Sequence, residues 1–291
     1  MTLRGAAAER QPSFWLLVVA YPTLFTWVYF VALQQQSTSL QQLAYALGKC
    51  LQFGFPIVWV WWFAKPPWPP LIGDPSRTHP QSGDDPRSIP PSCHQEVSLT
   101  TAVRASRAEA TGSSIAELRT VSLVSGISLG VAFGLMVAVA TLALFYLLPA
   151  DAAWFVQARA MIRAKVIGLG VNSSARFLLL GLFYAVGHSA AEEYYWRWFV
   201  FRGLTRGMQR PAALLISSLG FMAHHVILLG TFCGFAHPAT WCGSLAVAVG
   251  GYFWAVLYDR SGRLLGPWLS HLLVDAGLFS VGYLIARDAF G

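Results

Sequence analysis

The chain has 291 residues, 55% of them hydrophobic and 11% charged, with a mean hydropathy of +0.51. A soluble domain carries about 25% charged residues, so these proportions exclude an ordinary globular protein and indicate a polytopic membrane protein. The formal net charge of +7 is spread over short loops, with no basic tail or stripe, which suits loops facing anionic lipid and argues against a nucleic-acid partner.

The first apolar run, FWLLVVAYPTLFTWVYFVAL (14–33), is about twenty residues, too long for a signal-peptide core, and reads as an anchor. Tyr21-Pro22 predicts a kink in it. A second span is expected over 43–64, where the terminal VWVWWFA predicts a membrane–water interface. Residues 65–118 are rich in proline, serine and aspartate and predict an exposed, largely disordered loop, with a short helix resuming near 107–119. The third span, 121–148, is glycine-rich at its start. In 151–170 Arg159, Arg163 and Lys165 fall near one helical face, which fits an interfacial amphipathic helix or a structural connector. Further spans are expected over 174–201, 211–230, 243–258 and 264–286. The fold class is all-α: a transmembrane bundle of about seven spans. Its expected units are 1–64 (two helices), 65–118 (loop), 119–169 (a span plus the connector) and 170–291 (a core). Cys233 and Cys242 flank one loop and can pair, though free thiols are the simpler reading.

Short basic loops predict orientation. Arg4 and Arg10 place the N-terminus in the cytoplasm, and Arg202, Arg206, Arg210, Arg260 and Arg263 fall on the same side. Only 149–176 carries bases on the wrong side. Either it lies along the outer surface, or one element between 115 and 176 is not a simple span.

Polar groups inside apolar spans are expensive and mark function. In HSAAEEYYWR, Glu193 and Arg197 are four apart and share a face. Glu192 lies ~100° round the helix, on a stripe with His188. That separates two jobs, one carboxylate neutralised and the other left available. In FMAHH, Phe221 and His225 share a face while His224 is expected to point elsewhere; in HLLVD, His271 and Asp275 share a face. Rises of about 1.5 Å per residue put Glu192, His225 and His271 in the inner or middle part of the bilayer. A carboxylate with an imidazole can hold and deprotonate a water, and a second histidine can meet the oxyanion, which suits amide hydrolysis. Two histidines and a carboxylate are also an ordinary zinc set. No cofactor is expected, although spacing alone leaves zinc or another divalent metal open.

These residues stand in the order EExxxR (192–197), FxxxH (221–225) and a last motif of His with Asn or Asp four residues on (271–275). Over roughly 170–286 the chain resembles the CPBP intramembrane proteases, the group named for CAAX prenyl proteases and bacteriocin-processing enzymes, also called the Abi family. The resemblance implies a helical core with an intramembrane site acting as a glutamate-dependent endopeptidase in a bacterial inner membrane. Its partners would be lipid and a membrane-associated peptide or protein, with nothing to show prenylation. Carried over, Glu192 and His225 activate the water, His271 and Asp275 form the oxyanion side, and Glu193, Arg197, Phe221 and His188 support them. Two departures stand out. Trp198 follows Arg197 where the family usually has glycine, with an FRG at 201–203; and Asp275 stands where many relatives have Asn, so that if ionised it cannot donate to an oxyanion. The reading from another class is a non-enzymatic scaffold, immunity or transport protein, although transport usually shows internal repeats and none is seen here.

Overall fold

The structure is a computed structural model that describes residues 11–62 and 124–290. The expected proline-rich loop and the helix near 107–119 lie outside the described residues. Those described form eight helices and no strand. In chain order they are α1 (12–32), α2 (Thr38–Trp62), α3 (Val124–Leu147), α4 (Ala153–Gly168), α5 (174–204), α6 (Arg210–Cys233), α7 (Pro238–Ser261) and α8 (Leu265–Ala286). Proline opens α1, α6 and α7, where its missing N–H leaves nothing unsatisfied. Gly262, at φ 65°, closes α7 in the left-handed conformation.

Six helices, α1, α2, α3, α6, α7 and α8, are long and apolar enough to cross a membrane, and the chain is an integral membrane protein. The expected fourth span, now α5, is helical throughout but is not among the six. Glu192, Glu193 and Arg197 lower its hydropathy, and it hides them by packing against α1, α2, α6, α7 and α8. Helices on the outside show leucines such as Leu16, Leu24, Leu47 and Leu51 on their exposed faces, as lipid-facing surfaces should.

Expectation and structure part in two places. Tryptophan is as much a core residue here as an interfacial one. Trp61 and Trp62 are exposed at the end of α2, but Trp15, Trp196, Trp198 and Trp254 are buried in one aromatic cluster with Phe199, Phe201 and Phe221. The bases of α4 do not share a face either. Arg163 donates to the Ile285 carbonyl at 2.5 Å, whereas Lys165 turns the other way to Gln41 at 2.9 Å. These contacts set α4 beside the end of α8 and the start of α2, at the end of the bundle away from Arg202, Arg206 and Arg210. α4, the helix within the basic 149–176 segment, is not among the helices long and apolar enough to cross a membrane, so one element between 115 and 176 is not a simple span. Cys233 and Cys242 are free thiols.

The glycines of α3 explain its place. Gly130 and Gly134 face Gly266 and Ser270, and Gly277 faces Ala138, so α3 and α8 run parallel with backbones nearly touching. Small residues at four-residue spacing allow this approach in lipid, where dispersion replaces the hydrophobic effect. A Cβ on Gly134 would lie 2.6 Å from the Ser270 carbonyl oxygen, while one on Gly54 meets nothing within 4 Å. Gly134→Leu is therefore expected to destabilise the protein by about 1–3 kcal/mol through overpacking, and Gly54→Ala to leave it unchanged or slightly stabilised. Thermal unfolding in detergent measures both; equal melting temperatures for the two variants would contradict the α3–α8 contact.

Candidate active site

The site is built on α5. Its glutamates close a short α-helical stretch, Ser189–Glu193, set between π-helical stretches Phe183–His188 and Tyr194–Phe201. Such wide turns are rare and recur at functional sites. Both carboxylates are buried, Glu192 with 3% of its surface exposed and Glu193 with none.

Glu193 is committed through one oxygen. Its Oε1 lies 3.0 Å from the Arg197 guanidinium and accepts the Nδ1–H of His271 at 2.8 Å. Arg197 also donates to the Gly251 carbonyl at 3.2 Å and lies over the rings of Phe221 and Trp254, at 4.8 and 5.1 Å. Each ion thus has a second partner, which offsets part of the cost of burying the pair, while Glu193 Oε2 is buried without a hydrogen-bond partner. A Cβ on Gly251 would come within 3.1 Å of the Phe221 ring and 3.6 Å of the guanidinium, so the glycine brings the α7 backbone into reach.

Glu192 is different. Three imidazoles face it, each by Nε2: His188 at 3.8 Å and His224 at 3.6 Å on Oε1, and His271 at 3.8 Å on Oε2. All three distances exceed a hydrogen bond. The rings themselves are fixed. His271 stacks on Trp254 with centroids 4.2 Å apart, His224 lies parallel to Trp196 at 5.9 Å, and His188 packs on Tyr184 at 4.8 Å. Asp275 approaches His271 Nε2 at 3.7 Å from one turn further along α8.

The structure therefore gathers His188, Glu192, Glu193, Arg197, Phe221, His271 and Asp275 in one cluster. The two adjacent histidines of α6 are placed otherwise than the wheel suggested. His224 turns to Glu192, while His225 donates Nδ1–H to the Phe221 carbonyl at 2.9 Å and lies 4.1 Å, ring to ring, from His224. Positions three and four residues after Phe221 flank the same stripe, and only the crossing of α6 over α5 decides between them. Sequence reasoning also missed His271's bond to Glu193, which needs two helices at once.

Lys49 was missed as well, although a lone lysine inside an apolar span is itself a signal. It donates to the buried Gln52 at 3.2 Å and lies 5.2 Å from the centroid of the Phe53 ring, which in turn meets His188 edge-on at 6.0 Å. Among the described residues no group of three His, Cys, Asp or Glu side chains is arranged to hold a metal ion.

Comparison with curated proteins and with solved structures gave no match. A family model described as Type II CAAX prenyl endopeptidase Rce1-like matches residues 174–277. That stretch holds every carboxylate and histidine of the cluster, from His188 on α5 to Asp275 on α8. Residues 174–277, which carry all of these groups, are thus similar to the Rce1-like domain of the CPBP family.

Proposed function

We propose that the chain is an intramembrane endopeptidase that hydrolyses a peptide bond of a membrane-associated peptide or protein, in a bacterial inner membrane with the N-terminus cytoplasmic. The observation that carries this reading is the contrast between neighbouring carboxylates: Glu193 is held at 2.8 and 3.0 Å, and Glu192 is surrounded at 3.6–3.8 Å. One is spent on structure; the other is fixed in place but left able to act on a water.

In this proposal Glu192 takes a proton from the water as the hydroxide forms its bond to the scissile carbonyl carbon. His224 holds the carboxylate. His225, with Nδ1–H spent on the Phe221 carbonyl, offers the lone pair of Nε2 to the same water. His271 serves the oxyanion. As an imidazolium it donates through Nδ1 to Glu193 and presents Nε2–H to the carbonyl oxygen. Asp275, 3.7 Å from Nε2 and too far for a hydrogen bond, steadies that imidazolium through its charge. Collapse of the tetrahedral intermediate breaks the C–N bond, and Glu192 returns its proton to the leaving amine. His188 and Phe221 complete the walls.

Glu192→Gln is expected to lower turnover by about 10²–10⁴-fold with folded yield in detergent nearly intact. Glu193→Gln is expected to cost folding as well as rate, about 3–5 kcal/mol, since it leaves Arg197 buried without its anion. Purified protein in nanodiscs, incubated with membrane-associated peptides and read by mass spectrometry for new termini, measures turnover, and thermal unfolding reads the second effect. Undiminished cleavage by the Glu192 variant would remove the proposed base.

The two histidines of α6 separate in the same assay. His225→Ala is expected to abolish cleavage, and His224→Ala to reduce it by about tenfold, on the order of one weakened polar contact, with melting temperatures within a few degrees of the parent. Loss of turnover in the His224 variant alone would transfer the water-holding role to the ring that faces Glu192.

A further inference from the structure

A cavity of about 340 Å³ lies between α1, α2, α4 and α6, and none of its lining residues belongs to the Glu192 cluster. It sits where α1 and α6 end and α2 begins, at Phe30, Phe232 and Thr38, the level at which helices of this length meet lipid headgroups.

Its wall carries a single formal charge, Lys165, and no acidic residue. That lysine departs from the other bases of α4 by turning inward. It donates to Gln41 Oε1 at 2.9 Å and lies 4.7 Å from the centroid of the Tyr29 ring. Gln41 in turn is pinned, its amide nitrogen donating to the carbonyls of Gln34 at 3.3 Å and Gln36 at 2.9 Å. An ammonium has three donors, and no ion pair among the described residues includes Lys165. The cation is therefore held in position by neutral partners, with hydrogen-bonding capacity to spare. Around the ammonium the lining is apolar: Met161 and Leu169 stand one turn to either side of Lys165 on α4, with Phe30 of α1 and Phe232 of α6 beside them.

One fixed cation with no compensating acid selects a net anion, and an apolar wall beside it at headgroup depth selects an amphiphile. We propose that this cavity binds the phosphate of an anionic phospholipid, with Lys165 on the phosphate oxygens and the acyl chain along Met161 and Phe232. Basic pockets between helices are a recurring way to hold such headgroups.

The full chain is placed in nanodiscs of phosphatidylcholine alone or with phosphatidylglycerol, and thermal unfolding and lipid retained in native mass spectrometry are read. A ligand bound only by the folded state raises the melting temperature by mass action. The parent is expected to melt several degrees higher with phosphatidylglycerol and to retain it. Lys165→Met is expected to lose that increment, and Lys165→Gln, which keeps a donor for Gln41, to lose it too should the methionine variant fold poorly. Arg159→Met removes the same charge from the outside of α4, where Arg159 bonds the Ala150 carbonyl and covers Phe155, and is expected to keep the increment. Equal phosphatidylglycerol effects in parent and Lys165 variants, or none in the parent, would overturn the site. Inorganic phosphate added to lipid-free detergent samples forms the last arm. Lys165-dependent stabilisation there, equal to that by lipid, would reassign the cavity to a soluble phosphate and overturn the lipid.

Discussion

Two adjacent carboxylates buried in an apolar bundle set the terms for the rest of this structure. Neither can be left to itself, because a lone charge in a low-dielectric interior costs several kcal/mol. Nor can both be neutralised alike, because two saturated ion pairs leave no group able to exchange a proton. The bundle resolves this by asymmetry. Arg197 and His271 converge on Oε1 of Glu193, and the guanidinium is further held by the Gly251 carbonyl and two aromatic faces. Glu192, one residue earlier and so on another side of the helix, receives only imidazoles, which carry partial polarity without an obligatory charge. Because His271 touches both carboxylates, the committed one also fixes a group that faces the free one.

Such an arrangement demands close backbones. Gly251 lets α7 reach the guanidinium, and the glycines of α3 bring that helix against α8, which carries His271 and Asp275. Glycine inside a helix costs about 1 kcal/mol against alanine, so a run of them in apolar spans reports contact with another helix. The π-helical stretches on either side of Ser189–Glu193 work in the same direction, since a wider turn re-aims the side chains that follow it. Rigidity of the aromatic layer then holds the rings: Trp254 beneath His271, Trp196 beside His224.

Much of this was legible in the sequence because spacing along one helix is a local property. Glu193 with Arg197, Glu192 with His188 and His271 with Asp275 are each four residues apart, and each approach is present. Hydropathy likewise found every helix long enough to cross a membrane. What could not be read depends on how helices cross. Whether His224 or His225 meets Glu192 turns on a rotation of a few tens of degrees about α6, and His271 finds Glu193 across two elements. The bases of α4 misled through spacing: residues two apart lie about 200° apart around a helix, so Arg163 and Lys165 leave in opposite directions, toward α8 and α2. Tryptophan misled through composition: an interfacial preference is a tendency of the residue type, and a bundle with a large cross-section has room for indoles inside.

The matched domain does not enclose its own site. His188 faces α2, where Tyr45 shares a hydrogen bond with Tyr184 at 2.8 Å and Phe53 meets the His188 ring. Without α2 that side of α5 would present an imidazole and, behind it, an ionisable carboxylate to hydrocarbon, a placement that membranes penalise. The N-terminal helices are thus a wall of the site even though no family motif marks them. Lys49 gives that wall a chemical character of its own. It sits midway along α2, anchored to Gln52 and covering Phe53, on the side of the bundle from which His188 and Glu192 are approached. Through Phe53 this lysine stands one ring away from His188, so α2 brings a cation toward the face of α5 that carries Glu192.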